Sequence, residues 1–469
     1  MDYKIERDFM INLIKEAYHK FNGENINIYQ KTSFDLVTNL DTDIEAYLAK
    51  EIKNKFPNDV ILGEEFSATQ TISQRTWTID PIDGTCNMAH GMQLYGVQAA
   101  LIENNEIVFS IIYLPHFNEV IYAIKGYGCY SNDQRIYVNK NLTINNAIVS
   151  FGDYPHKDTT KIADMQHDVI RNLYSKIAKI RMFGAACIDF ASVAQAKTDA
   201  TVVITKNLWD ICPGILICKE AGAYVTNLVG DDYKFGDDGV VACASLELSQ
   251  LITKNFILAK GLNLDNYDSL IFDFDGVILD TEKYHYLAWK KAFAKVGYEL
   301  SEEEYAPLKS MGRVKTIKHL EEKLNTTFDE NLKEELITIK ADTFEEGIKN
   351  LSEDDILPGL KDFLESLKNK NKKLAVASSS QTCKELLAKY DLDQYFDVVL
   401  DGNTKCEKKP SPVIFLEAKR LLGGNNCLVF EDSQVGVLAA KNANMDVISI
   451  GALNTEDAIL RLRSFTNLI

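Results

Sequence analysis

The sequence predicts a chain of two domains, mixed α/β and α+β in class. Three observations predict it. The length of 469 residues suits two or three domains. Composition is that of an ordinary globular protein, 46% hydrophobic and 25% charged. Strand-like apolar runs alternate with helix-like stretches, most regularly in the second half.

The first helix is read from Phe9, Leu13, Ile14, Ala17 and Tyr18 on one face. A second is expected from about Asp43 to Phe56, stopped by Pro57. Strands and helices then alternate to Gly239-Val240-Val241-Ala242-Cys243-Ala244-Ser245, a closing strand before a short helix. The boundary falls within 258–267, without a Gly/Ser-rich linker, which sets domains of 1–262 and 263–469. Ser269-Leu270-Ile271-Phe272-Asp273 suits a buried first strand of a new sheet. Further strands are expected at Lys373–Ala377, Val398–Leu400, Cys427–Phe430 and Val447–Ile450, which implies a parallel, doubly wound, Rossmann-like sheet.

A net charge of -17 argues against nucleic acid as partner, since such binders concentrate Lys and Arg. The N-terminus lacks the apolar core of a signal peptide, and no apolar run is long enough to span a membrane. Nine scattered cysteines, none in a CxxC pair, read as reduced thiols in a cytoplasmic protein. Cys86 and Cys212 read as packing residues.

The first candidate site centres on Trp77-Thr78-Ile79-Asp80-Pro81-Ile82-Asp83-Gly84-Thr85. Pro81 restricts Asp80 to an extended shape, and Gly84 permits a sharp turn. A helix from Thr85 would offer N–H groups to a phosphate. Clustered carboxylates beside a phosphate make sense around divalent cations, and hard oxygen ligands suit magnesium. Gly63-Glu64-Glu65 and Trp209-Asp210 add acids.

With Asp35-Leu36-Val37-Thr38-Asn39-Leu40-Asp41 and Glu220-Ala221-Gly222-Ala223, these motifs resemble the inositol monophosphatase family over residues 5 to about 257. The resemblance implies an αβαβα sandwich. It implies two or three magnesium ions held by Glu64, Asp80, Asp83, Asp210 and the Ile82 carbonyl. Glu64 and Thr85 would position a metal-activated water, with Asp41 supporting Thr85; Gly84 and Thr85 would meet the phosphate. Asp189, in the small-residue loop from Phe183, would touch a substrate hydroxyl. Val203 stands where inositol-specific members carry a glutamate, which turns the reading away from inositol phosphate.

The second site is Leu270-Ile271-Phe272-Asp273-Phe274-Asp275-Gly276-Val277, two carboxylates just past a buried strand, where open α/β sheets bind ligands. Ser378 and Ser379, Lys409, and Glu431-Asp432 lie at later strand ends. They offer a phosphoryl hydrogen bond, positive charge and metal ligands.

These residues resemble the haloacid dehalogenase superfamily over about 268–453, with β-phosphoglucomutase and related sugar phosphatases nearest in pattern. The resemblance implies Asp273 as nucleophile and Asp275 as general acid/base. It implies one magnesium ion bound by Asp273, Asp275 through its carbonyl, Glu431 and Asp432. It divides the domain into a core of 266–282 and 354–469 and a helical cap of about 283–353. His285, with Lys340 as its partner, and Lys309 and Arg313 in the cap would meet the substrate. Gln381 departs from the mutase, which usually has lysine there.

Together these features imply a bifunctional magnesium-dependent phosphatase of small sugar or polyol phosphates, working without nucleic acid or membrane partners. A homodimer through the N-terminal domain is also expected. A mutase in the second half is the first alternative, and a non-catalytic scaffold the second.

Overall fold

The protein is described by a computed structural model covering residues 3–22, 26–32, 36–66, 72–154, 160–305, 308, 313–451 and 457–468. It divides into two compact units, Met1–Ala259 and Lys260–Ile469.

The first unit is layered. Its central sheet has seven strands in the order Val60–Gly63, Arg75–Asp83, Gly96–Glu103, Glu106–Leu114, Glu119–Ile124, Gly128–Ser131 and Gln134–Ile136. Only the first pair is parallel. The helices Lys4–Phe21 and Asn39–Lys55 cover one face through Met10, Leu13, Ile14, Ile44 and Leu48 against Trp77, Ile79, Phe109 and Ile111. Ala186–Ala194 and Leu208–Glu220 fill the space to a second sheet. That sheet orders Lys179–Arg181, Ile148–Phe151, Ala200–Val203, Val240–Cys243 and Tyr224–Thr226. Val169, Leu248, Ile252 and Phe256, from Thr160–Leu173 and Leu246–Ala259, close its outer face. The result is the αβαβα sandwich that the resemblance implies.

The second helix begins at Asn39, four residues before its expected start. The cause is a capping box: Thr38 N and Oγ1 donate to Asp41 Oδ2 at 2.9 and 2.5 Å. The same carboxylate thereby becomes fixed for use elsewhere.

The second unit is a six-stranded parallel sheet ordered Val398–Leu400, Lys373–Ala377, Ser269–Phe272, Cys427–Glu431, Asp446–Ile450 and Leu460–Leu462. The last strand escaped the sequence reading, because three residues are too short to show a period. Phe272, Phe363, Phe430 and Phe465 stack into one aromatic cluster beside the central strands. Glu282–Ala294, Glu302–Tyr305, Arg313–Leu324 and Glu330–Ile348 form a helical subdomain with its own core of Trp289, Phe293, Leu320 and Leu336. Among the described residues no helix is long and apolar enough to cross a membrane. All nine cysteines are unpaired thiols; Cys212 is buried, and Cys86 is exposed rather than packed.

Candidate active sites

In the first unit, Asp80 and Asp83 end the Arg75–Asp83 strand. Residues three apart on a regular strand face opposite ways. Here the pairing with Gly96–Glu103 shifts register between Asp80 and Asp83, a bulge that turns both carboxylates to one side. Gln98, paired with Asp80, joins them: its Nε2 lies 3.3 Å from Asp80 Oδ2, 3.2 Å from Asp83 Oδ2 and 3.4 Å from Asp210 O.

Asp210 sits in the first turn of Leu208–Glu220, where Thr205 Oγ1 and Asn207 Nδ2 donate to its Oδ2 at 3.2 and 3.1 Å. Asp83 accepts from the backbone N–H of Ala186 at 3.2 Å and from that of Cys187. Gly84 turns the chain with φ of +94°. A Cβ there would lie 2.9 Å from Ala185 Cβ. Thr85 then starts a five-residue helix, and its hydroxyl is 2.8 Å from both Asp41 Oδ1 and Ile82 O. Glu64 follows the Val60–Gly63 strand, and Lys31 Nζ reaches it at 3.2 Å and Glu65 at 2.7 Å. Glu45 accepts from Glu65 N at 2.8 Å and Phe66 N at 3.0 Å, fixing this turn.

Burial is the main force on these acids. It raises the proton affinity of Asp80, which Glu64, Asp83 and Asp210 raise further by like charge. Burial pushes Glu64 up to about 7 against the pull of Lys31, and Asp210 up to about 8 with Asp83 adding to the effect. Asp80 Oδ1 is buried without a partner among the described residues. Crowded, like-charged oxygens with an orphaned acceptor among them fit a hard divalent cation.

In the second unit, Asp273 and Asp275 follow the Ser269–Phe272 strand, and Asp432 follows Cys427–Glu431. Asp273, Glu431 and Asp432 each turn an oxygen to a common point, all within 4.8 Å of one another. Lys409 Nζ lies 2.6 Å from Asp273 Oδ1 and also contacts Glu431. Ser433 N and Oγ donate to Glu431 Oε2 at 3.0 and 2.9 Å. Thr281 Oγ1 donates to Asp275 Oδ1 at 3.0 Å. Gly276 permits this packing: φ is +74°, and a Cβ would fall 2.2 Å from Asp432 Oδ2.

Burial pushes Asp273 up to about 7, opposed by Lys409, and raises Asp275 and Asp432 as well. Ser378 is buried at the end of its strand, its Oγ accepting from Ser380 N at 3.0 Å; Ser379 is exposed. His285 stacks on Phe344 with centroids 4.1 Å apart, and Lys340 lies beside it. Arg313 opens its helix, exposed; burial depresses the proton affinities of His285 and Lys340, and the Arg313 charge adds to the effect. Lys309 lies outside the described residues.

Residues 1–257 match the family model described as the inositol monophosphatase family, and residues 270–450 match haloacid dehalogenase-like hydrolase. The chain belongs to the inositol monophosphatase family. It carries a haloacid dehalogenase-like domain fused behind it, and it is a phosphoric monoester hydrolase. A fructose-1,6-bisphosphatase/inositol-1-monophosphatase of Thermotoga maritima is 31% identical over 259 residues, 54% of this chain and 91% of that protein. An inositol-1-monophosphatase of Bacillus subtilis is 28% identical over 240 residues, 50% and 89% of the two chains. A solved IMPase of Thermotoga maritima is 29% identical, covering 54% of this chain and 97% of its own, with a TM-score of 0.49.

One expectation within the inositol monophosphatase unit fails. Asp189 is fully buried on Ala186–Ala194, so it presents no surface to a substrate hydroxyl. Sequence reasoning also missed residues. Gln98 carried no sequence signal, since only the strand pairing sets it opposite Asp80. Asn207 carried the signature of a helix N-cap before Asp210. Lys31 and Glu45 carried no local signal, because they act across 33 and 20 residues of chain.

Proposed function

We propose that the chain is a bifunctional, magnesium-dependent phosphatase of small sugar or polyol phosphates, one reaction to each unit. The observation that carries this reading is the convergence, in each unit, of buried and half-buried carboxylates from separate elements whose mutual repulsion a cation would relieve. The ligands would be Glu64, Asp80, Asp83, Asp210 and the Ile82 carbonyl for two or three ions, and Asp273, Glu431, Asp432 and the Asp275 carbonyl for one. Magnesium, when bound, supplies the positive charge that offsets these acids and the phosphoryl oxygens.

In the first unit, Asp41 Oδ1 and Ile82 O engage the proton of the Thr85 hydroxyl. The lone pairs of Thr85 Oγ1 are thereby left to accept a hydrogen bond from water and orient it. Glu64 takes the proton of that water as its oxygen bonds to phosphorus. The ester P–O bond breaks, and the alkoxide is protonated from solvent.

In the second unit, an Asp273 oxygen attacks phosphorus while Asp275 donates its proton to the leaving alcohol. An aspartyl phosphate remains, which Lys409 neutralises at close range. Asp275 then accepts a proton from the attacking water, and inorganic phosphate leaves.

A mutase in the second unit is the other reading. It is favoured by the contact of Lys340 with His285, which matches the mutase-like pattern of the cap. There a second hydroxyl of the sugar phosphate, rather than water, receives the phosphoryl group.

The net charge of -17 supports the absence of a nucleic-acid partner, and the enzyme is further taken to be cytoplasmic, without membrane partners, and homodimeric through its first unit. The test compares wild type, Asp210→Asn and Asp273→Asn on a panel of sugar and polyol phosphates with magnesium and with EDTA. Each substitution is expected to remove one EDTA-sensitive activity and spare the other. Loss of both activities with Asp273→Asn alone would overturn separate sites. Phosphorus NMR separates the readings, a hydrolase releasing inorganic phosphate and a mutase an isomerised sugar phosphate.

A further inference from the structure

One side chain of the first site is polar where its surroundings ask for an apolar one. Gln98 lies on the Gly96–Glu103 strand, paired with Asp80 on one side and with Ile112 on the other. Partners in register point to the same face of a sheet. On this face Ile112 belongs to the core between the two sheets. Gln98 is fully buried there. A leucine or methionine would fill the same space without stripping water from an amide. The amide therefore serves the acids beside it.

That amide is only half satisfied. Its Nε2 reaches Asp80 Oδ2 at 3.3 Å, Asp83 Oδ2 at 3.2 Å and Asp210 O at 3.4 Å, three acceptors for two hydrogens, each at long range. Its Oε1 is buried with no partner among the described residues, as is Asp80 Oδ1. A buried carbonyl oxygen without a partner points to a missing one. A terminal amide keeps its shape when a half-turn exchanges oxygen and nitrogen. Such a turn sets Oε1 where Nε2 now stands, 3.3 and 3.2 Å from the nearest Asp80 and Asp83 oxygens. Neighbouring oxygens around a magnesium ion, each about 2.1 Å from it, stand about 3 Å apart. The spacing is that of ligands sharing one ion.

We propose that Gln98 is a further ligand of the divalent cation in the first unit, and that its amide turns over when the ion binds. Without the ion, the N–H groups of Gln98 bridge Asp80 and Asp83 across the bulge that carries them. With the ion, Oε1 faces it and gains the partner it lacks. An amide alone can serve both states without a change of charge: a carboxylate here would add to the repulsion, and an ammonium would exclude the ion. This inference rests on the magnesium reading of the first unit.

The experiment uses the full chain with Asp273→Asn and Asp432→Asn, which take two ion ligands from the second unit. Manganese alone is titrated into this parent and followed by EPR. Gln98→Leu keeps the bulk of the side chain and neither of its polar atoms, and it is expected to raise the Kd about tenfold. Gln98→Glu keeps an oxygen and is expected to bind at least as tightly as the parent. In the parent grown with isotopically labelled glutamine, the Gln98 Cδ signal, assigned by its loss in Gln98→Glu, is expected to move downfield as magnesium is added. Binding by Gln98→Leu within twofold of the parent, or tighter, would overturn the proposal, and so would a Cδ signal that magnesium leaves in place. The Cδ signal decides alone if Gln98→Leu does not fold. Both of those results leave the magnesium reading intact when the parent binds manganese. If the parent binds none, that reading and this inference fall together.

Discussion

The ammonium nitrogen of Lys340 lies 3.0 Å from Nδ1 of His285. A lysine ammonium can only donate, so Nδ1 accepts and the imidazole proton sits on Nε2. Burial pushes His285 down to about 3, with Lys340 and Arg313 adding to the effect, so the ring is neutral at physiological pH. Lys340→Met removes the donor. The second-unit activity is expected to fall about tenfold, and the ring-nitrogen NMR shifts of His285 are expected to show its tautomer lost. An unchanged pair of shifts would separate the two residues in solution.

Thr85→Ala takes away the oxygen proposed to orient water while leaving Asp41 as a helix cap. First-unit kcat is expected to fall about a hundredfold with little change in KM, measured on the polyol phosphate panel. Thr85→Ser, which keeps the hydroxyl between Asp41 and Ile82, is expected to retain most of the rate.

Gly84→Ala meets two obstacles at once. Its φ of +94° disfavours any side chain, and its Cβ would press on Ala185 at 2.9 Å and on the Leu94 carbonyl at 3.0 Å. The expected cost is about 3 kcal/mol in a denaturant titration, accompanied by loss of first-unit activity.

Stability without metal depends on pH in a direction opposite to the usual carboxylate case. Glu64, Asp210 and Asp273 hold their protons up to about 7, 8 and 7 in the folded protein. The unfolded chain releases them near pH 4. Between these limits the folded state binds more protons, so stability rises as pH falls from about 8 toward 5. In EDTA the melting temperature is expected to be higher at about pH 6 than at about pH 8.5. Magnesium should reverse the order, since it competes with protons for the same oxygens.

Both folds were legible because buried strands announce themselves as apolar runs and because the motif acids follow those strands directly. Asp273, Asp275 and Asp432 fall where the strand ends require, and so do Asp80 and Asp83, while Asp210 sits in the first turn of a helix. Less legible were groups whose role depends on burial or on distant pairing. Asp189 reads in sequence like an accessible loop acid, yet its helix is packed between two sheets. Lys31 reads like a solvated charge, yet it bridges Glu64 and Glu65. Hydrophobic periodicity carries no information about which polar residues meet across a turn, so Glu45 and Gln98 emerge only in three dimensions.

The shifted pairing between Asp80 and Asp83 constrains how this lineage can drift. Ile82 between them is buried in the core and admits only similar apolar residues, and the count of residues between the two acids cannot change. A single deletion would erase the bulge and draw the second acid, with the Gly84–Thr85 turn behind it, one residue along the strand. Natural variants should therefore keep an apolar residue at Ile82 and show no length polymorphism between the two acids.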